Sequence, residues 1–403
     1  MRLIGDFKSA VKRSHRLYPL AHKLRRWQQD RQIQREQREC EAKARELGMP
    51  PGEEPAEQVF GRLTSRLAAR GISWPPRPTA RPLHILYAST LTEWEPYNIP
   101  DQLATIGQVT LFPLNDHGIP LDRGYECARQ LVDRELPRFV RRLHEKCPVD
   151  MLLSYLSGSL VSSHTLDEIC SLGIPTFGFH LDDRFSFYGG TSGDQWRGPA
   201  AVCRSYDLNL TNAPRSLIKY RVNGANVLFW PQGANPDFFQ PLDVPLKYGV
   251  TFCGQRYGVR RVLVEYLRKN GVDVQCFGSA WENGYQTAEE LVRIVNQSRI
   301  CLGVGYVMHS SDQCLKGRDF EIPSCGAVYL TSWNEDLRRV YRLGEEIETY
   351  GSFDDCLQKI TRLLASPGQC HQLRQRARAA VVRRHTWAER VRELLECRGL
   401  PGP

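Results

Sequence analysis

The 403-residue chain carries 13 cysteines yet contains no Cys-x-x-Cys pair and no zinc-type spacing. That absence argues against a structural zinc site or a thioredoxin-like redox motif. Cys253, Cys276 and Cys301 sit inside apolar runs. The thiols therefore read as small buried hydrophobes, not as a disulfide framework. No apolar run approaches the roughly 20 residues that cross a bilayer. The opening M-R-L-I-G-D-F-K lacks the continuous apolar stretch of a secretory leader, so a cytoplasmic location is expected. Three enzyme fingerprints are missing too. G-V-G-Y-V-M (303–308) has only the first two glycines of a dinucleotide fingerprint. No glycine loop ends in Gly-Lys-Ser/Thr, and no G-x-S-x-G elbow occurs, which leaves P-loop and serine-hydrolase chemistry without support.

What is present is 41% apolar and 25% charged residues, the composition of a soluble globular protein. Its length suggests two domains. The formal charge of +9 is unevenly spread: residues 1–50 contribute +7 and all the rest only +2. A body that close to neutral is not a whole-surface nucleic-acid binder. The basic excess belongs to an amino-terminal arm that reads as helix over 1–48. Leu17, Leu20, Leu24 and Trp27 recur there near 3.5-residue spacing. Such a stripe either packs on its own domain or touches an anionic membrane surface or a partner. M-P-P-G-E-E-P (49–55) breaks the helix, and W-P-P-R-P-T-A-R-P (74–82) is a stiff connector.

Beyond it, short apolar strands alternate with helices. Strands are predicted at 83–88, 109–114, 151–156, 175–183, 208–212 and 227–231, with helices over 121–146 and 162–173. A second series starts near 248 and runs through V-T-F-C-G, V-D-V-Q-C-F-G, R-I-C-L-G-V-G, A-V-Y-L-T and E-I-E-T-Y. The pattern predicts mostly parallel sheets covered by helices, in two Rossmann-like halves. The expected division is a basic helical extension with linker (1–75), an amino-terminal domain (76–243) and a carboxyl-terminal domain with a closing helix (244–403).

Ligands of such sheets bind beyond the carboxyl ends of the strands. In the second half those ends carry G-Q-R (254–256), F-G-S-A-W (277–281), G-V-G-Y (303–306) and T-S-W (331–333). Gly254 lets a phosphate approach the backbone, and the Arg256 fork matches phosphate oxygens in pairs. A tight turn with a solvated arginine is the plainer reading. The segment K-G-R-D-F-E-I-P-S-C-G (316–326) is more pointed. A helix starting near Arg318 or Asp319 offers free N–H groups to an anion, with Lys316 and Arg318 adding full charge. Glu321, about one turn in, can accept the two hydroxyls of a ribose. Acids in a first helical turn are also ordinary dipole-favoured residues. In the first half, G-F-H-L-D-D-R (178–184) ends a strand, where His180 or Asp182 can serve as a general base. A packed histidine and a helix-capping aspartate are the alternatives. W-E-P-Y-N (94–98) and Y-L-S-G-S (155–159) either line an acceptor pocket or are simple loops.

R-D-F-E-I-P-S-C-G-A-V-Y-L-T, G-E-E-I-E-T-Y-G-S and R-R-H-T-W-A-E-R together resemble the carboxyl half of CgeB-type, spore-maturation-like glycosyltransferases, which are similar to the group-1 glycosyltransferases of GT-B fold. The resemblance spans about 248–395 and implies two Rossmann-like domains facing a central cleft. It implies transfer of a sugar from a nucleoside-diphosphate sugar to a hydroxyl-bearing acceptor, without a metal or other cofactor. No D-x-D metal motif of the other major glycosyltransferase fold occurs. The donor site expected on this basis comprises Gly254, Arg256, Gly305, Lys316, Arg318, Glu321 and Gly326, with Glu321 on the ribose and Arg256 and Arg318 on the diphosphate. Asp182 and His180 are the expected catalytic residues. The wider group often places a second acid eight residues before the ribose acid, where this chain has Gln313. Peripheral membrane contact through residues 1–48 is the expected further partner, and nucleic acid is not expected. A same-fold epimerase and a non-catalytic binding protein tethered by the basic arm are the rival readings.

Overall fold

The computed structural model describes residues 17–403 apart from 51, 78–80, 93, 120, 122–123 and 193–194. The first sixteen residues of the predicted arm, and 78–80 of the stiff connector, lie outside that range. The described chain divides into two compact units. One comprises residues 38–238 and 381–402; the other comprises, among the described residues, 17–37, 239–380 and 403.

The amino-half unit is built on a six-stranded, all-parallel sheet. After helices α1 (Leu17–Glu46) and α2 (Ala56–Ala68) come β1 (His84–Ser89) and β2 (Gln108–Pro113). Then follow α3 (Tyr125–Lys146), β3 (Met151–Ser154), α4 (Ser163–Ser171) and β4 (Thr176–His180). The series ends with β5 (Leu208–Thr211), α5 (Leu217–Val222) and β6 (Val227–Phe229), in the spatial order β2-β1-β3-β4-β5-β6. Because helices cover both faces, β1, β3 and β4 are buried at every position and read as unbroken apolar runs. α4 starts where the Ser162 hydroxyl accepts a hydrogen bond from the Thr165 N–H and stops before Gly173.

The carboxyl-half unit holds a second parallel sheet. Its elements are β7 (Tyr248–Cys253), α6 (Val259–Lys269), β8 (Val274–Phe277), α7 (Ala288–Asn296) and β9 (Ser298–Gly303). They continue with α8 (Arg318–Ser324), β10 (Tyr329–Ser332), β11 (Glu348–Tyr350), α9 (Phe353–Leu364) and α10 (Pro367–Arg384). The strand order is β8-β7-β9-β10-β11. α7 opens with a full capping box between Thr287 and Glu290. All thirteen cysteines are free thiols, nine of them buried. No described helix is long and apolar enough to cross a membrane.

The last helix, α11 (Trp387–Leu395), was expected to close the carboxyl-terminal domain, but residues 381–402 belong to the amino-half unit. Trp387, Val391 and Leu394 recur at helical spacing and join the buried cluster of Trp74, Phe177, Phe179 and Trp230. The indole N–H of Trp230 donates to the Arg390 carbonyl at 2.9 Å, and that of Trp74 to the Leu394 carbonyl at 3.1 Å. Val59, Phe60, Leu63 and Leu67 of α2 complete the same cluster, so α11 and α2 together cover this aromatic-rich strand face.

Candidate active site

A parallel sheet opens a crevice where consecutive connections leave in opposite directions. In the carboxyl half, β8 lies on one side of β7 and β9 on the other, so the switch point falls between β7 and β9. Two loops flank it: 254–258 after β7, and 304–317 after β9. Of the residues expected to bind the donor, Gly254, Arg256, Gly305, Lys316 and Arg318 lie in or directly beside these loops.

The β7 loop starts with Gly254, whose N–H donates to the Phe277 carbonyl at 2.7 Å. Gly278 faces it so closely that a Cβ there would stand 2.4 Å from the Gly254 carbonyl oxygen, and its φ is +124°. Only glycine is compatible with that approach. The Arg256 guanidinium lies over the Trp281 ring at 5.1 Å and reaches Glu265 at a long 3.4 Å. Its Nε is buried without a partner. Glu265 is held more closely by Arg261, at 2.7 Å. Arg256 is thus preset by its aromatic neighbour while its charge is only loosely satisfied. α6 begins at Gly258 with no side-chain cap, so its first N–H groups depend on other acceptors.

In the segment 316–326 the charged side chains do not all face the same way. Asp319 turns inward. Its carboxylate accepts from the Lys316 N–H and from the Tyr329 hydroxyl, both at 2.7 Å. Burial pushes its pKa up to about 6, opposed by those donors. The N–H groups of Asp319, Phe320 and Glu321 all bond to Lys316 and Gly317 carbonyls. The expected row of free N–H groups at this helix start is therefore not there: a tight turn consumes it. Lys316, Arg318 and Glu321 remain half-buried. Among the described residues Arg318 makes no hydrogen bond or ion pair, although its charge lies near enough to Cys253, at the end of β7, to oppose the rise in that thiol's pKa. A half-buried arginine in this condition, near the tip of β7, has its fork available to an anion.

Gly305 belongs to the same edge. Its N–H donates to the Ser332 hydroxyl, and a Cβ there would lie 3.2 Å from the Gln313 Oε1. Gln313, in the place of the second acid, uses both ends of its amide. It accepts from the Ser332 hydroxyl at 2.6 Å and donates to the Trp333 carbonyl at 3.0 Å. It ties the β9 loop to the end of β10. Gly326 is not brought together with the rest of the expected set. It lies past the far end of α8 and leads into β10 from the amino edge of the sheet, where its φ of +65° makes a turn beside Pro241.

In the amino half the switch point falls between β1 and β3. W-E-P-Y-N and Y-L-S-G-S are the loops that flank it. Trp94 meets Tyr155 edge-on with centroids 5.9 Å apart. Glu95, buried, accepts from the Tyr87 and Thr90 hydroxyls at 2.7 and 2.8 Å and so fixes the β1 loop. His180 and Asp182 stand one strand further on. His180 is buried against Tyr206 and Tyr220, its Nε2 has no partner, and burial lowers its pKa to about 3. So weak a base gains little from accepting a proton near neutrality. Asp182 is half-buried at a left-handed φ of 59°, and its carbonyl starts the short turn Asp183–Ser186.

The sequence did not single out what lies beneath them. Asp183 is fully buried, accepts from the Tyr220 hydroxyl at 2.6 Å, and is raised by burial to about 6. Lys219, equally buried, donates to the Asp183 and Arg184 carbonyls. Nothing in L-I-K-Y-R-V marks a buried lysine; only the neighbouring acid pair hinted that one carboxylate would turn inward. Among the described residues no three His, Cys, Asp or Glu side chains group as a metal site.

Comparison with known proteins places these features in a wider setting. Residues 256–396 match the family model described as glycosyl transferase-like. No curated protein matches the chain. Among solved structures, the chain is similar to a glycosyltransferase from Rickettsia africae, with TM-score 0.54 and 12% identity, over 79% of this chain and 98% of that one. It is also similar to sucrose-phosphate synthase from Thermosynechococcus elongatus, with TM-score 0.52 and 13% identity, over 77% and 97% of the two chains. At such identities the likeness speaks for the fold: two parallel-sheet α/β units of the GT-B type.

Proposed function

We propose that the protein is a glycosyltransferase that moves a sugar from a nucleoside-diphosphate sugar to a hydroxyl-bearing acceptor. The observation that carries this reading is Arg318, a half-buried cation without an ion-pair partner among the described residues, set at the tip of β7 beside the Arg256 loop. Arg318 and Arg256 hold the diphosphate, with Lys316 adding charge, and Glu321 receives the ribose hydroxyls. The carbohydrate-transfer fold and the match over 256–396 support the assignment. A closer kinship with CgeB-type proteins rests on the three sequence segments alone.

In the reaction the acceptor hydroxyl forms a bond to the anomeric carbon, its proton passes to a base, and the bond from that carbon to the diphosphate breaks. Positive side chains take up the charge that develops on the leaving diphosphate, and no metal is assigned to the step. Asp182 is the base in this reading, because it is half-buried at the end of the strand whereas His180 is buried against Tyr206 and Tyr220. Acceptor recognition is assigned to the β1 and β3 loops of the amino half. Peripheral contact with an anionic membrane is part of the proposal. Leu20, Leu24 and Trp27 are 65%, 58% and 54% exposed on one face of α1, and Arg31 stacks on Trp27.

The test is a thermal-shift screen of the full chain with UDP, GDP, ADP and dTDP and their sugars. A ligand at a hundred times its Kd adds about 2.7 kcal/mol of stability. One responding nucleotide family is the expected result. A protein whose melting is indifferent to all of them is not a transferase of this kind.

A further inference from the structure

α1 lies outside both sheets, yet its polar face is turned onto the two loops that flank the β7/β9 crevice. The Asp30 carboxylate accepts from the Ser311 N–H at 2.6 Å, and the Gln29 side-chain oxygen accepts from the His309 N–H at 2.8 Å. Two turns earlier His22 is buried against the His309 ring, with the two Nδ1 atoms 3.4 Å apart. Burial lowers the His22 pKa to about 4, with the His309 ring adding to the effect, so the His22 ring is held neutral at this contact. Nearer the start of the helix, the Arg261 guanidinium of α6 lies over the Tyr18 ring at 4.2 Å, and the Tyr18 hydroxyl faces the Gly258 N–H.

The two loops meet under this cover. Met308 adopts a left-handed φ of 51°, and its carbonyl oxygen stands 3.1 Å from where a Gly258 Cβ would be. A non-glycine residue in that conformation persists only when its surroundings fix it. Here they do so through side-chain acceptors aimed at loop N–H groups. A helix that merely covered apolar surface would use hydrocarbon instead.

We propose that Gln29 and Asp30 are positioning residues of the nucleotide-sugar site. They hold the 306–312 loop against Gly258 and so fix the crevice in which the diphosphate is bound. The inference rests on the transferase reading and adds an element from outside both sheets to the donor site.

The experiment measures the affinity of the full chain for UDP, GDP, ADP and dTDP by calorimetry, in the wild type and in Gln29→Ala, Asp30→Ala, the double variant and Asp30→Asn. Asparagine keeps a side-chain oxygen for the Ser311 N–H. The nucleotide that binds the wild type is expected to bind Asp30→Ala roughly tenfold more weakly, the double variant more weakly still, and Asp30→Asn nearly as the wild type does. Unchanged affinity in the alanine variants overturns the proposal while the transferase reading stands. Asp30→Asn failing as badly as Asp30→Ala also overturns it, since the acceptor oxygen is then irrelevant. A wild type that binds none of the four removes the transferase reading and this one together.

Discussion

Replacing Arg318 with alanine separates binding chemistry from folding more cleanly than any other change at the site. Arg256 is less suitable: it stacks on Trp281 and touches Glu265, so its loss would also disturb packing. Arg318 has no hydrogen bond or ion pair among the described residues, and it begins a seven-residue helix whose turn is held by Asp319. Its removal is expected to cost the fold no more than about 0.5 kcal/mol, as for a surface change. The diphosphate would lose a charge-assisted, two-pronged contact worth roughly 1.5–3 kcal/mol, a factor of about 10–150. If the contact strengthens as charge develops on the leaving group, the loss falls on kcat as well as on affinity. The assay is kcat/KM for donor consumption, with diphosphate affinity measured alongside and melting as the check on folding. Arg318→Lys should recover charge but not the fork, and fall between the two. An alanine variant with wild-type kcat/KM and wild-type affinity refutes the placement of the diphosphate beside Arg318.

Other outcomes follow from the same geometry. Trp387→Ala removes a fully buried ring packed on Trp230, Trp94 and Phe179, and should destabilise the amino-half unit by about 3–5 kcal/mol in urea unfolding. Asp319 has its pKa raised to about 6 from an ordinary 3.8, so the native state binds more protons than the unfolded one between those values and stability falls as pH rises through the window. Asp319→Asn should remove that slope, roughly 2 kcal/mol, when urea midpoints at pH 4 and pH 7 are compared with the wild type; an identical pH dependence would contradict the inward carboxylate. Leu24→Glu combined with Trp27→Glu should abolish sedimentation with phosphatidylserine vesicles while leaving diphosphate affinity intact.

The parallel sheets were legible because strands buried on both faces leave an unmistakable trace: H-I-L-Y-A, M-L-L-S and T-F-G-F-H have no polar alternation. Arg256 and Arg318 were legible for a related reason, since strand ends are where such a fold leaves backbone and charge exposed. The direction of a side chain on a short helix was not. R-D-F-E places Asp319 and Glu321 two residues apart, hence on different faces, and composition cannot say which face is inside. Tyr329, ten residues on, decides it by offering its hydroxyl to Asp319. The fate of α11 was hidden in the same way. Its Trp-x-x-x-Val-x-x-Leu stripe announces burial, but the partner surface is set by strands far away in sequence.

The amino-terminal helix is the strongest case, because its apolar periodicity marks the face that does not pack on the protein. Leu20, Leu24 and Trp27 form a regular stripe, and they lie outward. The inward face is carried by Tyr18, His22, Gln29, Asp30, Ile33 and Cys40. Polar groups are interspersed among the apolar ones in that series, so no run of apolar residues at helical spacing marks it. A helix that buries carboxamide, carboxylate and imidazole groups while exposing leucine and tryptophan reverses the usual solvent preference of both faces. Such a reversal is stable only if the inward polar groups find partners and the outward apolar ones find a surface other than water. The first condition is met by the loops of the donor-side crevice. The second is what the vesicle experiment asks, and a helix that satisfied both would tie lipid contact and diphosphate binding to one rigid element.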